Sequence, residues 1–152
     1  MKGEQIMEIQ FLTGNTIEDA SNLFDQYRQF YGQTSDLEGA KAFLNSRLEQ
    51  QQSFVLLAYI DSSPVGFAQL YPTFSSVAMK RAFILNDLFV SKDARNLGVA
   101  RALIEECYKL CKANDARYIT LETANDNLTA QSLYKKMGME NDQTMLHFTK
   151  YW

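Results

Sequence analysis

Leu85-Asn86-Asp87-Leu88-Phe89-Val90-Ser91-Lys92-Asp93-Ala94-Arg95-Asn96-Leu97-Gly98-Val99-Ala100 is the stretch on which the fold turns. A long apolar strand, Arg81 to Val90, is interrupted only at Asn86 and Asp87, and a short loop follows it. Leu97 or Gly98 then opens a helix to about Asn114, with Val99, Leu103, Cys107, Leu110 and Cys111 as its apolar stripe. The first turn of such a helix presents N–H groups without intrahelical acceptors, at the positive end of the dipole. Gly98 and Ala100 are small enough for an anion to approach the backbone, Arg95 can add charge, and Asn96 can bend the loop. By physics this is an anion site, with a plain strand–helix turn as the alternative. The dinucleotide fingerprint, with three glycines and a later acid, does not fit, and no Gly-Lys-Ser/Thr of a Walker A loop follows.

Upstream, Met7 to Leu12 reads as a first strand, and residues 1–6 can be a frayed tail. Asn15 or Thr16 caps a helix carrying Ile17, Ala20, Phe24, Tyr27 and Tyr31 at helical spacing, stopped by Gly32. Ser35 or Asp36 starts a second helix with Leu37, Ala40, Leu44 and Leu48 on one face. Ser53 to Ile60 and Val65 to Tyr71 flank a turn cluster and form a hairpin, and Pro72 to Ser76 reads as a loop. Downstream come a strand, Tyr118 to Thr123, and a helix, Asn127 to Met137, with Ala130, Leu133, Tyr134 and Met137 on one face and Gly138 at C′. Thr144 to Tyr151 closes the chain as a strand. The order β-α-α-β-β-β-α-β-α-β predicts an α/β domain over residues 1–152. Its mixed sheet of six to seven strands carries helices on both faces, and the strands before and after the Leu97–Asn114 helix run parallel.

Composition fits one soluble domain: 152 residues, 46% apolar, 22% charged, net charge −3. The acidic balance argues against a nucleic-acid partner. The longest apolar run, Phe54 to Ile60, is far short of the roughly 20 residues of a membrane span. With Glu4 and Glu8 near the start and no apolar h-region, the expected compartment is the cytoplasm. Cys107 and Cys111 read as reduced thiols on one helix face, no metal-site spacing is present, and His147 reads as structural.

The chain resembles the GCN5-related N-acetyltransferase (GNAT) family. That family's signature, Arg/Gln-x-x-Gly-x-Gly/Ala after a long strand, is matched by Arg95-Asn96-Leu97-Gly98-Val99-Ala100. A second signature is matched by Asn127-Leu128-Thr129-Ala130-Gln131-Ser132-Leu133-Tyr134-Lys135-Lys136-Met137-Gly138-Met139, where Leu133 and Met139 stand in for frequent Phe residues. Asn96 stands where the family usually has Gly. The Asn86-Asp87-Leu88-Phe89-Val90 strand and the Tyr71-Pro72-Thr73-Phe74 segment look most like the small-amine and diamine branch. Diamine enzymes carry an acidic pair before this Phe-Val. Here the first of the pair is Asn86, so monoamines are expected to compete well with diamines.

The resemblance implies acetyl-CoA as donor, its pyrophosphate on the N–H groups of Arg95, Asn96, Leu97, Gly98, Val99, Ala100 and Arg101. The peptide-like pantetheine arm would pair with the backbone at Leu88 and Val90. The strands must part beyond Val90 to admit it. A bulge in the Arg81–Val90 strand would do so and would free an N–H, of Leu88 or Phe89, for the thioester oxygen. An alkyl amine has a pKa near about 10, so a proton acceptor is required at neutral pH. Asp87 and Glu122 are the candidates, each with a plainer reading as a strand-end acid. The resemblance places Tyr134 beside the CoA sulfur as general acid, with a core tyrosine as the alternative. It also gives Asn127 a CoA contact beside its reading as an N-cap. Asn86, Asp87, Tyr31 and Phe74 are expected at the amine site, and Tyr27, Phe30, Tyr31 and Phe74 are mainly core, with one or two able to wall it. The leading expectation is transfer of acetyl to a small-molecule primary amine in a ternary complex. A protein or peptide acetyltransferase and a non-catalytic acyl-CoA sensor are the alternatives. A homodimer is expected from the resemblance and from the aromatic last segment, whose edge has no chain left to cover it.

Overall fold

A computed structural model describes residues 3–152. It divides into two compact units, the first running to Glu122 and the second from Thr123 to Trp152.

The first unit is built on a five-stranded sheet in the order β1-β2-β3-β4-β5: β1 Met7–Phe11, β2 Phe54–Ile60, β3 Ser63–Ser75, β4 Lys80–Val90 and β5 Ile119–Thr120. Neighbours are antiparallel from β1 to β4, and β4 and β5 are parallel, as the crossover predicts. The sheet has fewer strands than the six to seven expected. Ile6 is pinned rather than frayed, since Asp61 holds it through both its amide and its carboxylate. Residues 1–2 of the expected tail lie outside the described residues.

Each helix starts where the sequence signals it. A 3-10 turn over Gly14–Thr16 leads into α1, Ile17–Phe30, and Gly32 ends it at φ +83°. Asp36 caps α2, Leu37–Glu49, by accepting the Gly39 amide at 2.9 Å. Both helices cover one face of the sheet. Ala20, Leu23, Phe24, Ala40 and Leu44 interlock there with Val55, Leu57, Tyr59 and Phe67. Leu56, Ala68 and Leu70 alternate with these and are equally buried on the other face, against α3, Val99–Ala113. Gly66 sets how closely α3 approaches: a Cβ there would stand 2.7 Å from the Phe89 carbonyl oxygen and 3.3 Å from Val99 Cγ1.

Pro72 to Ser76 was expected as a loop, but β3 runs to Ser75 and pairs with β4 from Gly66 to Ser75. Pairing with β2 stops at Phe54↔Leu70, so this part of β3 is an edge, where proline is tolerated. The hairpin closes through a tight turn with Met79 at φ +53°. β5 is also shorter than the expected Tyr118–Thr123, because its ladder with β4 consists of Phe83↔Ile119 and Ile84↔Thr120.

In the second unit, α4 covers Leu128–Lys136 and Gly138 follows at φ +86°. Ala130, Leu133, Tyr134 and Met137 are the half-buried stripe, while Leu128 on the opposite side is exposed. The expected strand over Thr144 to Tyr151 is not formed. Thr144 instead turns back on Asp142, donating both its N–H and its hydroxyl to one carboxylate oxygen. Met145, Leu146, Phe148, Tyr151 and Trp152 stand exposed along that segment. A strand needs a neighbour for its backbone groups, and no ladder supplies one here. Among the described residues no helix is long and apolar enough to cross a membrane.

Candidate active site

Two features of the first unit carry chemistry. The first is the start of α3. Gly98 is its N-cap at φ +81°, and Asn96 lies at φ +63°. Two left-handed residues within three positions are what turn the chain from β4 into the helix. Asn is one of the few residues besides Gly that enter this region routinely, so its place where the family has Gly keeps the loop geometry. The first intrahelical bond is Ala102 N–H to Gly98 C=O at 3.0 Å, so the amides of Val99, Ala100 and Arg101 precede the helical ladder. Gly98 has no side chain to cap them, and open space lies beyond its would-be Cβ. Arg95 donates Nε to the Val90 carbonyl at 3.3 Å and rests its guanidinium over the Phe30 ring. These amides and this open space fit the pyrophosphate of a CoA thioester.

The second feature is a bulge. β3 and β4 pair Gln69↔Asp87 and Leu70↔Leu85, so Asn86 is the extra residue. Beside it the β4–β5 ladder has already ended at Ile84↔Thr120, so Leu88, Phe89 and Val90 have no β5 pairing. The bulge lies in the strand expected to carry one, four residues before its end.

Past the bulge, Asp87 is 5% exposed on the α1 face. Its Oδ2 accepts Gln69 Nε2 at 2.6 Å and its Oδ1 accepts Asn86 Nδ2 at 3.1 Å. The Tyr27 hydroxyl also hydrogen-bonds to it. Burial, then the charge and hydrogen bond of Asp87, push the Tyr27 phenol well above its ordinary range. Tyr71 is raised by the same two causes, burial first. No Lys or Arg forms an ion pair with Asp87 among the described residues, which removes the reading of a strand-end acid paired with a base. Phe67, Phe89 and Tyr27 meet edge-on or tilted around it.

Tyr31 joins this group through Tyr27, ring centroids 5.0 Å apart, and is itself exposed. Phe74 is not brought there. It pairs across from Arg81 at the far end of the hairpin, under that guanidinium. Glu122 is exposed, two residues past β5. In the second unit Asn127 caps α4, accepting the Ala130 amide at 3.3 Å, and Tyr134 is half-buried within that helix. Cys107 is buried, and desolvation pushes its thiol up to about 12. Gln69 and Tyr71 were missed from sequence. The available signal was a lone amide, Gln69, in the otherwise apolar Val65–Leu70 run.

A mixed sheet whose parallel ladder ends short of the strand end, a bare helix N-terminus after that strand and a buried acid within it are what an acyltransferase fold offers. The chain belongs to the acetyltransferase (GNAT) family, whose model matches residues 18–139. It is 48% identical over 126 residues to an uncharacterised N-acetyltransferase of Bacillus subtilis (strain 168), YhfO, spanning 83% of this chain and 85% of that one. It superposes with TM-score 0.90 on the crystal structure of a probable acetyltransferase, at 35% identity, covering 95% of this chain and 97% of that one. An aminoglycoside N-acetyltransferase in complex with CoA shares the fold at 19% identity and TM-score 0.82, covering 99% and 98% of the two chains.

Proposed function

We propose that the enzyme transfers an acetyl group from acetyl-CoA to the primary amine of a small cationic molecule, in a ternary complex. The observation that carries the acceptor class is Asp87: a buried carboxylate with no cationic partner among the described residues, held by amides and close to Tyr27 and Tyr71. An uncompensated buried charge is costly, and an ammonium group is the partner that offsets it. A hydroxyl or an acidic acceptor offsets nothing. The donor reading rests on the free amides of Val99, Ala100 and Arg101, and on a CoA-bound protein of the same fold.

Acetyl-CoA supplies the activated acetyl thioester. The α3 N-terminus orients its diphosphate, and the backbone of Leu88 to Val90, unpaired on its β5 side, is the edge for its amide arm. An N–H of Leu88 or Phe89 is our choice of donor to the thioester oxygen as charge develops there. Asp87 draws in the ammonium and takes its proton, directly or through one water. The neutral nitrogen attacks the carbonyl carbon and the carbon–sulfur bond breaks. Tyr134 gives its proton to the thiolate and is reprotonated, through water, by the second proton that the nitrogen sheds, while Asp87 releases the first to solvent. Glu122 is the second candidate for the base, and Asn86 and Tyr31 border the amine. Asn127 contributes a CoA contact besides its cap.

The test is a screen of amines, alcohols and amino acids with acetyl-CoA, followed by kcat/KM against pH for wild type and Asp87→Asn. Turnover of cationic amines, with the variant losing most of its rate at pH 7, is the expected result. Exclusive use of alcohols or anionic acceptors, or an unchanged pH profile in the variant, overturns the reading. We also propose a homodimer and a cytoplasmic location. The exposed Met145, Leu146, Phe148, Tyr151 and Trp152 form an apolar segment suited to a second copy. A monomeric mass by light scattering at micromolar concentration would refute the dimer.

A further inference from the structure

Gln69 is completely buried, and the sequence gives no packing reason for an amide in the centre of β3. It lies directly across from Asp87 in the ladder and donates Nε2 to Oδ2 at 2.6 Å, the short distance of a charge-assisted bond. Its other polar atom, Oε1, is buried with no hydrogen-bond partner in the protein among the described residues. A buried acceptor left unsatisfied is costly, so an orphan in the middle of a sheet calls for a function.

The chemistry of the pair supplies one. An amide is the neutral side chain that can meet a carboxyl group in either protonation state. Its NH2 donates to a carboxylate, and its carbonyl oxygen accepts from a carboxylic acid. An Arg or Lys at position 69 would lock Asp87 in its charged form, and a Leu would leave it alone. With Gln, each arrangement pairs one amide atom with Asp87 and leaves the other unpaired. The proton can therefore come and go without leaving Asp87 unbonded.

We propose that Gln69 is a positioning residue that keeps Asp87 hydrogen-bonded through turnover. Its NH2 holds the carboxylate, and the amide turns so that Oε1 takes the O–H once Asp87 has received the acceptor's proton. The proton passes from ammonium nitrogen to an Asp87 oxygen, and the amine keeps the lone pair with which it attacks. The other groups facing Asp87 do not serve this role. Tyr27 from α1 donates, and burial holds it protonated far above neutral pH. Tyr71 from β3 is likewise raised. Asn86 sits on the bulge and is exposed, so water can satisfy its amide. This inference rests on Asp87 being the proton acceptor.

The test is a pH titration followed by NMR on the full chain without substrate. It reads the Asp87 carboxyl carbon and the Gln69 side-chain NH2 in wild type, Gln69→Met and Gln69→Glu. In wild type the Gln69 NH2 signal is expected to change with the same midpoint as Asp87. Gln69→Met removes the donor and should raise that midpoint. Gln69→Glu places a second carboxyl at hydrogen-bond distance and should raise it by more than about one pH unit, since two such acids share a proton. In kinetics with the best amine from the screen, the acid limb of kcat/KM should move up with it, while the KM for acetyl-CoA stays put. A Gln69 NH2 signal that ignores the Asp87 titration, or the same Asp87 midpoint in wild type and Gln69→Met, overturns this inference alone. Unchanged turnover in Asp87→Asn overturns the catalytic reading and this inference with it.

Discussion

Gly98 allows the anion site to be tested through a single charge. Its φ of +81° strains any L side chain, by about 1–2 kcal/mol, whatever the substitution. Nothing lies within 4 Å of a Cβ built there, so no clash adds to that strain. Gly98→Gln and Gly98→Glu therefore share both strain and bulk and differ by one negative charge. Each should lower the melting temperature by roughly 2–8 °C, from about 2–4 °C per kcal/mol in a domain this size. Between unit charges 4 Å apart the interaction is about 4 kcal/mol at an effective dielectric constant of 20. The open turn is solvated, so about 2 kcal/mol of repulsion against a diphosphate is the working figure, or roughly thirtyfold in Kd. Calorimetry with acetyl-CoA should show Gly98→Glu binding about thirtyfold more weakly than Gly98→Gln, with the gap narrowing as salt rises. Equal affinities in wild type, Gly98→Gln and Gly98→Glu would mean that the diphosphate lies elsewhere.

Three more outcomes are expected. Asp25 accepts Ser35 Oγ at 2.7 Å and Asp36 N–H at 2.8 Å, which, with Gln29, hold its carboxyl below the ordinary 3.8. A depressed folded value means stability that is present above pH 3.8 and lost as pH falls through the folded value. The urea midpoint should drop below pH 4, and Asp25→Asn should flatten that drop. The Cys107 thiol, pushed up to about 12, is almost wholly protonated at pH 8. Mass spectrometry should find it alkylated by iodoacetamide far more slowly in the native protein than after unfolding. Tyr134→Phe should lower kcat by about 10²–10⁴-fold at little cost in acetyl-CoA affinity, and full turnover in that variant would leave Tyr134 a structural residue.

What the sequence disclosed, and what it hid, follows the range of the interactions. The caps Asp36, Gly98 and Asn127 and the C′ residues Gly32 and Gly138 are local, because a side chain or a dihedral within four residues decides each of them. The turn from β4 into α3 was legible for the same reason. The ends of β3, β5 and the last segment were not, because a strand lasts as long as its neighbour does. Pro72 reads as a loop until β4 is known to run beside it. Met145 to Tyr151 has strand composition and forms no strand. Phe74 looked like a pocket wall by its place in sequence, and the extended hairpin carries it five residues beyond Gln69. Gln69 and Tyr71 were hidden because their importance comes from a residue sixteen or more positions away.

The bulge at Asn86 connects these parts. Before it, Phe83 and Leu85 share the face of Leu70 and α3, as the contact of Phe83 with Phe54 shows. In an unbroken strand the period of two would send Asp87 and Phe89 to that face as well. One extra residue reverses the alternation, and every later side chain of β4 changes sides. Asp87 then meets Gln69 and Tyr27, and Phe89 meets Phe67, all on the α1 face. The same extra residue falls just past the last β4–β5 pair, where a regular ladder would otherwise continue. A single irregularity thus turns Asp87 toward the α1 face and falls just past the end of the β4–β5 ladder. Asn suits that position because it is polar, and its amide can reach the neighbouring carboxylate while the bulged backbone stays exposed. In a strand apolar on both faces the phase of the alternation cannot be read, so the side of the sheet on which Asp87 lies belongs to the structure.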